Sequence, residues 1–200
     1  MSLRDRKKLE TRQRISDEAT MLFLARGFEA VTVAEIADAA NVSRMTVFNY
    51  FPRKEDLLFD RVPEMHEMLL GAVTDRPAGT TPVHAVRDRL LELIAQGHPL
   101  GGAGDHRKFW RTVLDSPALR ARIREAIEEL EGALAEVLLP TEGPARAHWT
   151  AVLILSAVRT TWQIAAHRIF AGEDPDLVLA EQPALVAELF TGVERALSAR

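Results

Sequence analysis

The 200 residues include no cysteine, which excludes disulfides, thiolate metal sites and cysteine nucleophiles. Strand signals are nearly absent: almost nowhere does apolar and polar character alternate with a period of two. The longest strongly apolar run, residues 151–158, is too short to cross a bilayer and stops at Arg159, so no membrane span is expected. The opening MSLRDRKKLE is charged and lacks an apolar stretch, so no signal peptide is expected and the compartment reads as cytoplasmic. Internal repeats and low-complexity segments are missing as well. Several catalytic patterns fail. His66-Glu67 begins a zinc-protease motif, but Leu70 stands where its second histidine belongs. Gly101, Gly102 and Gly104 are not followed by the Lys-Ser/Thr of a phosphate loop. His98, Asp105 and His106 are metal-ligating types in a loop, where such residues are more often solvated, and no metal or cofactor is expected.

What is present is a succession of helix signals, about nine, in a chain that is 47% hydrophobic and 27% charged. That content suffices to bury a core, as one domain or as a small one beside a larger one. Residues 32–50, TVAEIADAANVSRMTVFNY, organise the rest. Thr32 followed by Glu35 is a capping box, and Val31 with Ile36 is spaced as a hydrophobic staple. Ile36, Ala37 and Ala40 give an inward face, with small residues where two helices approach. Asn41 tolerates the left-handed conformation a tight turn requires. Ser43 caps a second helix, and Val47 returns to the core. Arg44, Met45, Thr46, Phe48, Asn49 and Tyr50 are left for the outer face, a mixture suited to a helix that enters a DNA major groove.

Around this motif a first helix is expected from about residue 5 to 26, with Ile15, Ala19, Leu22 and Phe23 inward and Gly27 at its end. Pro52 breaks the motif's second helix, and a fourth helix is expected from residue 53 or 54 to about 70, kinked or broken at Pro63. Residues 73–81 read as a linker. Further helices are expected at 82–95, 106–114 and from Pro117 to about 139, with a flexible connector at 97–104 and a turn at 140–144. Residues 146–170 are apolar nearly all round, and residues 183–197 carry a stripe of Leu185, Val186, Leu189, Phe190, Val193 and Leu197. Both helices demand cover, which a second copy of the chain would supply through residues 145–170 and 183–198.

Charge is distributed unevenly. The net charge is −4, yet residues 1–14 hold six basic residues against two acidic ones, and residues 41–54 hold Arg44, Arg53 and Lys54 with no acid. Residues 62–200 carry 14 basic against 19 acidic residues. A basic N-terminal part on an acidic body fits a small DNA-contacting module carried by something else.

The run from 25 to 58, ARGFEAVTVAEIADAANVSRMTVFNYFPRKEDLL, resembles the TetR family of transcriptional repressors. Gly27-Phe28, Thr32, Ile36-Ala37, Val42-Ser43, Thr46, Tyr50-Phe51 and Lys54-Glu55 carry the resemblance, which covers residues 9–69 and, more loosely, FWRTVLDSPALRARI downstream. It implies an all-α protein: a helix-turn-helix domain at 1–52 and a ligand-binding and dimerisation domain at 53–200. It further implies a homodimer on a double-stranded, palindromic operator, released when a small-molecule effector binds the second domain, and no enzymatic activity. By this resemblance Thr32, Thr46, Tyr50 and Lys54 meet the DNA backbone and Arg44, Met45 and Asn49 face the groove, with Val33 and Ser43 also in the DNA-binding set. Phe48 stands where the family usually has tyrosine, so a hydroxyl contact gives way to an apolar one. Trp110, Trp149, Trp162 and His167 are expected to line the effector pocket. The alternative is a constitutive or architectural DNA-binding protein without an inducer.

Overall fold

The computed structural model describes residues 2–98, 100 and 106–198, with His106 described in its backbone only. Among the described residues nine α-helices occur and no strand: α1 (Leu3–Arg26), α2 (Val33–Ala39), α3 (Arg44–Tyr50), α4 (Val62–Thr74), α5 (Pro82–Ala95), α6 (His106–Asp115), α7 (Pro117–Glu142), α8 (Pro144–Phe170) and α9 (Pro175–Ser198). A single 3-10 turn, Glu55–Leu57, stands between α3 and α4. The chain divides into two compact units, residues 1–60 with 108–124, and residues 61–107 with 125–200. The first unit thus runs past Pro52 to residue 60 and takes in most of α6 and the first two turns of α7.

In the first unit α1 starts on a capping box. Ser2 Oγ accepts the Asp5 amide at 3.2 Å, and the Asp5 carboxylate accepts the Ser2 amide at 3.0 Å. Ile15, Ala19 and Phe23 repeat every fourth residue and are fully buried, the face that fixes α1 in the unit. Gly27 ends the helix at φ 83°, and its amide bonds the Phe23 carbonyl at 2.8 Å. The chain then turns back so that the Phe23 and Phe28 rings lie 4.9 Å apart. Ile36, Ala37, Ala40, Val47, Phe51, Leu57 and Leu58 close this core.

The second unit is a helical bundle around one large apolar cluster. α4 contributes Leu69 and Val73, α5 Val86, Leu90 and Leu93, α7 Leu130, Leu134 and Leu138, α8 Ala147, Ala151 and Ile154, and α9 Val186, Phe190 and Val193. Burying each of the larger side chains stabilises the fold by about 1.5–3 kcal/mol. The alanines of α8 let α9 approach closely, and the Arg146 guanidinium donates to the Leu197 carbonyl at 2.8 Å.

Three boundaries differ from those expected, each at a proline. The stretch after Pro52 does not open a long fourth helix. It bends, makes the 3-10 turn and delivers Leu57, Leu58 and Phe59 into the first unit's core before α4 begins at Val62. Pro63 consequently lies in the first turn of α4, where its missing N–H costs nothing, rather than kinking a helix. Pro140 lies inside the last turn of α7, where its missing N–H removes a single helical bond, the one to the Glu136 carbonyl, close to the helix end. Pro183 lies within α9, which begins eight residues earlier at Pro175. The α9 stripe is also covered from within. Val186, Phe190, Val193 and Leu197 are buried against α8 and α5 of their own chain, so that stripe does not by itself demand a partner. The connector at 97–104 lies mostly outside the described residues, as do Asp105 and the His106 side chain.

Candidate nucleic-acid interface

Two short helices of seven residues, joined by a four-residue turn, present the outer face of the first unit. The turn is set by hydrogen bonds that follow from its sequence. Asn41 adopts φ 51°; its amide bonds the Asp38 carbonyl at 3.1 Å, and the Val42 amide bonds the Ala37 carbonyl at 2.9 Å. This pair of bonds is a Schellman motif with asparagine in the left-handed position usually held by glycine. The Arg14 guanidinium adds a bond to the Ala40 carbonyl at 3.1 Å. α3 then starts on Ser43, whose hydroxyl accepts the Thr46 amide at 3.0 Å and lies 2.8 Å from the Thr46 hydroxyl.

Within α3 only Val47 is buried, at 1% exposure, and it anchors the helix. Arg44, Met45, Phe48 and Asn49 are exposed, while Thr46 and Tyr50 are half-buried. Met45 at 70% and Phe48 at 47% are large apolar side chains left in solvent. A helix with one buried residue and an exposed arginine, asparagine and two apolar tips has the donors and van der Waals surfaces that base edges and thymine methyls accept. The sequence-derived outer face of α3 is thus assembled on one surface.

Thr32 and Lys54 are differently engaged. The Thr32 hydroxyl accepts the Glu35 amide at 3.3 Å and donates to the Glu35 carboxylate at 2.8 Å, and the same carboxylate takes the Thr32 amide at 2.8 Å. Arg26 closes the arrangement, 2.8 Å from Glu35. The bonds from Thr32, joined by Arg26, hold the Glu35 carboxyl down at about 2. Thr32 is committed to its cap, and Val33 beside it is half-buried in the first turn of α2. Lys54 turns inward. Its Nζ donates to the Phe28 carbonyl at 2.6 Å and lies 4.1 Å above the Phe28 ring. Burial lowers its pKa from the ordinary lysine value, against the opposing pull of Glu29, Glu55 and Glu35. This ammonium pins the loop after α1.

The segment 108–124 completes the first unit. The Ser116 hydroxyl donates to Glu29 at 2.7 Å and accepts the Leu119 amide at 3.3 Å. Arg122 pairs with Asp56 at 2.8 Å, and Phe109 meets Phe59 edge-on at 6.4 Å. An open depression of about 470 Å³ lies between this segment and residues 23–30, with Arg26, Lys108 and Arg111 beside Glu29 and Asp115.

The residues expected to line an effector pocket are divided between the two units. Trp110 belongs to the first unit, where it stacks edge-on against Phe109 at 5.5 Å. Trp149 is 51% exposed and His167 is exposed, both on outward phases of α8. Trp162 alone packs against the second unit's core. The sequence does not single out Gln182, yet its amide is buried in the second unit with neither polar atom bonded. Its place in the Val178–Val186 stripe of α9 makes it a core position with a polar residue, the one signal that could have found it. The His66 Nε2 is likewise buried and unpaired. An unpaired buried amide costs about 1–3 kcal/mol. Among the described residues no cluster of metal-ligating side chains occurs, and no helix is long and apolar enough to cross a membrane.

The comparisons agree with this geometry. The sequence model of the family described as bacterial regulatory proteins, tetR family, matches residues 15–60. The chain is 36% identical over 145 residues to the HTH-type transcriptional regulator TcmR of Streptomyces glaucescens, covering 70% of this chain and 64% of that protein. The first curated relatives are thus matched over less than two thirds of their own length. Among solved structures, the Thermus thermophilus FadR repressor in complex with lauroyl-CoA is 29% identical with a TM-score of 0.52, over 90% of this chain and 93% of that one. NalD of Pseudomonas aeruginosa, the secondary repressor of a multidrug efflux pump, is similar in fold, with a TM-score of 0.60 at 18% identity over 92% and 96% of the two chains.

Proposed function

Because this chain belongs to the TetR family of bacterial regulatory proteins, we propose that it is a sequence-specific DNA-binding transcriptional regulator. It acts as a homodimeric repressor on a palindromic operator and is released by a small molecule. The observation that carries this reading is the face of α3: a helix fixed by Ser43, Val47 and the Asn41 turn, with Arg44, Met45, Phe48 and Asn49 all exposed. Arg44 and Asn49 read bases, since arginine pairs the acceptor edge of guanine and asparagine the two-sided edge of adenine. Met45 and Phe48 supply apolar contact, and Ser43, Thr46 and Tyr50 approach the backbone. In a twofold dimer the two readers address half-sites about one helical turn, ~34 Å, apart. Trp149, the largest exposed aromatic of α8, marks the face offered to a second copy.

The effector belongs to the second unit. A ligand of this kind, lauroyl-CoA, occupies the similar FadR protein, and Gln182 and His66 here have buried polar atoms able to orient one polar group of a mostly apolar molecule. Release requires that the molecule bind the DNA-incompetent conformation more tightly; equal affinity for both would shift nothing. The outward placement of Trp149 and His167 favours the second reading, a constitutive DNA binder. Selection of duplexes from a random pool, followed by footprinting on DNA beside the protein's own gene with and without candidate effectors, separates the readings. A palindromic footprint that fades with one effector supports the repressor. A footprint that no effector alters leaves the constitutive binder, and failure to enrich any sequence refutes both.

A further inference from the structure

The six cations of residues 1–14 fall into three groups once α1 is folded. Arg12 donates to the Asp60 carbonyl at 2.9 Å and lies 4.3 Å over the Phe51 ring, and Arg14 holds the Ala40 carbonyl; both are fasteners of the first unit. Arg6 pairs with Glu10 at 3.5 Å along the helix surface. Arg4, Lys7 and Lys8 remain exposed, and with Thr11 they occupy positions i, i+3, i+4 and i+7, which is a single helix face. That face and Tyr50, the last residue of α3, line one open depression of about 600 Å³. Asp5 also lines it, but its carboxylate is already bound by the amide and hydroxyl of Ser2.

Two features of this face run against what fold stability alone would favour. Cations in the first turns of a helix oppose the positive end of its dipole, where acidic residues are the stabilising choice. Three cations packed along one face also repel one another, with a single carboxylate beside them. Their position is informative too, because the depression adjoins the C-terminal end of the base-reading helix.

We propose that Arg4, Lys7, Lys8 and Thr11 of α1, together with the Tyr50 hydroxyl, form a seat for the DNA sugar-phosphate backbone flanking the bases read by α3. The proposal rests on the DNA-binding reading above and moves the main phosphate anchor from Lys54 to α1. Lysines and arginine in the seat contact phosphates as charges, so the seat adds affinity and salt dependence without sequence preference. Thr11 and Tyr50 donate to phosphate oxygens and fix the register of α3.

The test uses the full chain and two fluorescent duplexes, one selected from a random pool and one of mixed sequence, titrated at 50–200 mM salt. Lys7→Ala/Lys8→Ala lowers the slope of log affinity against log salt by about 1.8, or roughly tenfold in affinity loss across that range, on both duplexes alike. Tyr50→Phe weakens binding at every salt concentration and leaves the slope unchanged. Arg6→Ala removes one positive charge from another face of α1 and changes the slope by less than half as much per charge. Alanine is a strong helix former at these exposed positions, and matching melting curves confirm that the variants fold. A slope unaltered in Lys7→Ala/Lys8→Ala, or altered equally per charge in Arg6→Ala, overturns the seat while a selected operator keeps the DNA-binding reading standing. A wild-type chain that binds neither duplex overturns both.

Discussion

α2 and α3 have the same length and each starts on a hydroxyl cap, yet they are built for opposite ends. α2 buries Ile36 and Ala37 and ends on the buried Ala40, and its cap is sealed by Glu35 and Arg26. α3 buries Val47 alone, and its cap is a lone Ser43 hydroxyl shared with Thr46. One helix is a support whose polar atoms are consumed internally. The other is held at the minimum number of points so that its remaining side chains stay available. The difference explains why Thr32, at the start of the supporting helix, is a poor source of external contacts, whereas Arg44 and Asn49 are free of such duties. It also explains how two exposed apolar residues, Met45 and Phe48, persist on a surface: a partner surface of bases gives them a use.

The largest expected effect lies on the supporting side. Ile36→Ala removes a fully buried side chain of α2, and a destabilisation of about 2–5 kcal/mol is expected. Urea unfolding should show it, with DNA affinity lost in proportion to the unfolded fraction. On the reading side, Asn49→Ala should leave unfolding unchanged within ~0.5 kcal/mol. Its cost appears on the selected operator, about 1–3 kcal/mol in binding, with little change on mixed-sequence DNA. If both duplexes weaken equally, Asn49 reads no base and the division between the two helices fails. The caps refine the comparison at smaller scale. Thr32→Ala and Ser43→Ala each cost about 1 kcal/mol in stability, with Thr32→Ala the costlier because Glu35 loses its partner as well. Ser43→Ala should be the costlier for operator affinity, since it loosens the helix that makes the contacts.

The first unit was largely legible because its signals are local. The Thr32–Glu35 capping box, the Asn41 turn, Gly27 and the four-residue repeat of Ile15, Ala19 and Phe23 are each decided within a few residues, and the structure bears them out. The direction Lys54 takes was not legible, for a physical reason. Sequence supplies a charge but not a direction, and the Phe28 carbonyl that captures it lies 26 residues away. Prolines were ambiguous in the same manner. Pro63, Pro140 and Pro183 can each start, bend or occupy a helix, and only the packing around them decides. The second unit was legible as helices but not as a site. α8 is apolar on most of its circumference, so periodicity alone could not tell that Trp149 and His167 face outward while Thr150 and Thr161 are buried. The cover of the α9 stripe is tertiary as well, supplied by α5 and α8 from distant parts of the chain.

The smallest effect, and the sharpest probe of the sealed cap, is its response to pH. Glu35 is held at about 2 against an ordinary 4.5, first by the Thr32 amide, then by the Thr32 hydroxyl and Arg26. A carboxyl whose folded pKa is depressed contributes stability that is fully present above its unfolded pKa and is lost as pH falls through the folded one. The contribution of this cap is therefore intact above about pH 5 and declines between roughly pH 4.5 and 2. Because the group is at the surface, salt and solvent screen it and the loss is modest. In Glu35→Gln the portion of acid destabilisation in that window should shrink relative to wild type, and Arg26→Ala should shrink it less, since the Thr32 bonds come first among the causes. Ser43 has no carboxylate in its cap, so Ser43→Ala should leave the pH profile parallel to that of wild type. Were Glu35→Gln also parallel, the seal on α2 would not be electrostatic, and the contrast between the two helices would reduce to their buried faces alone.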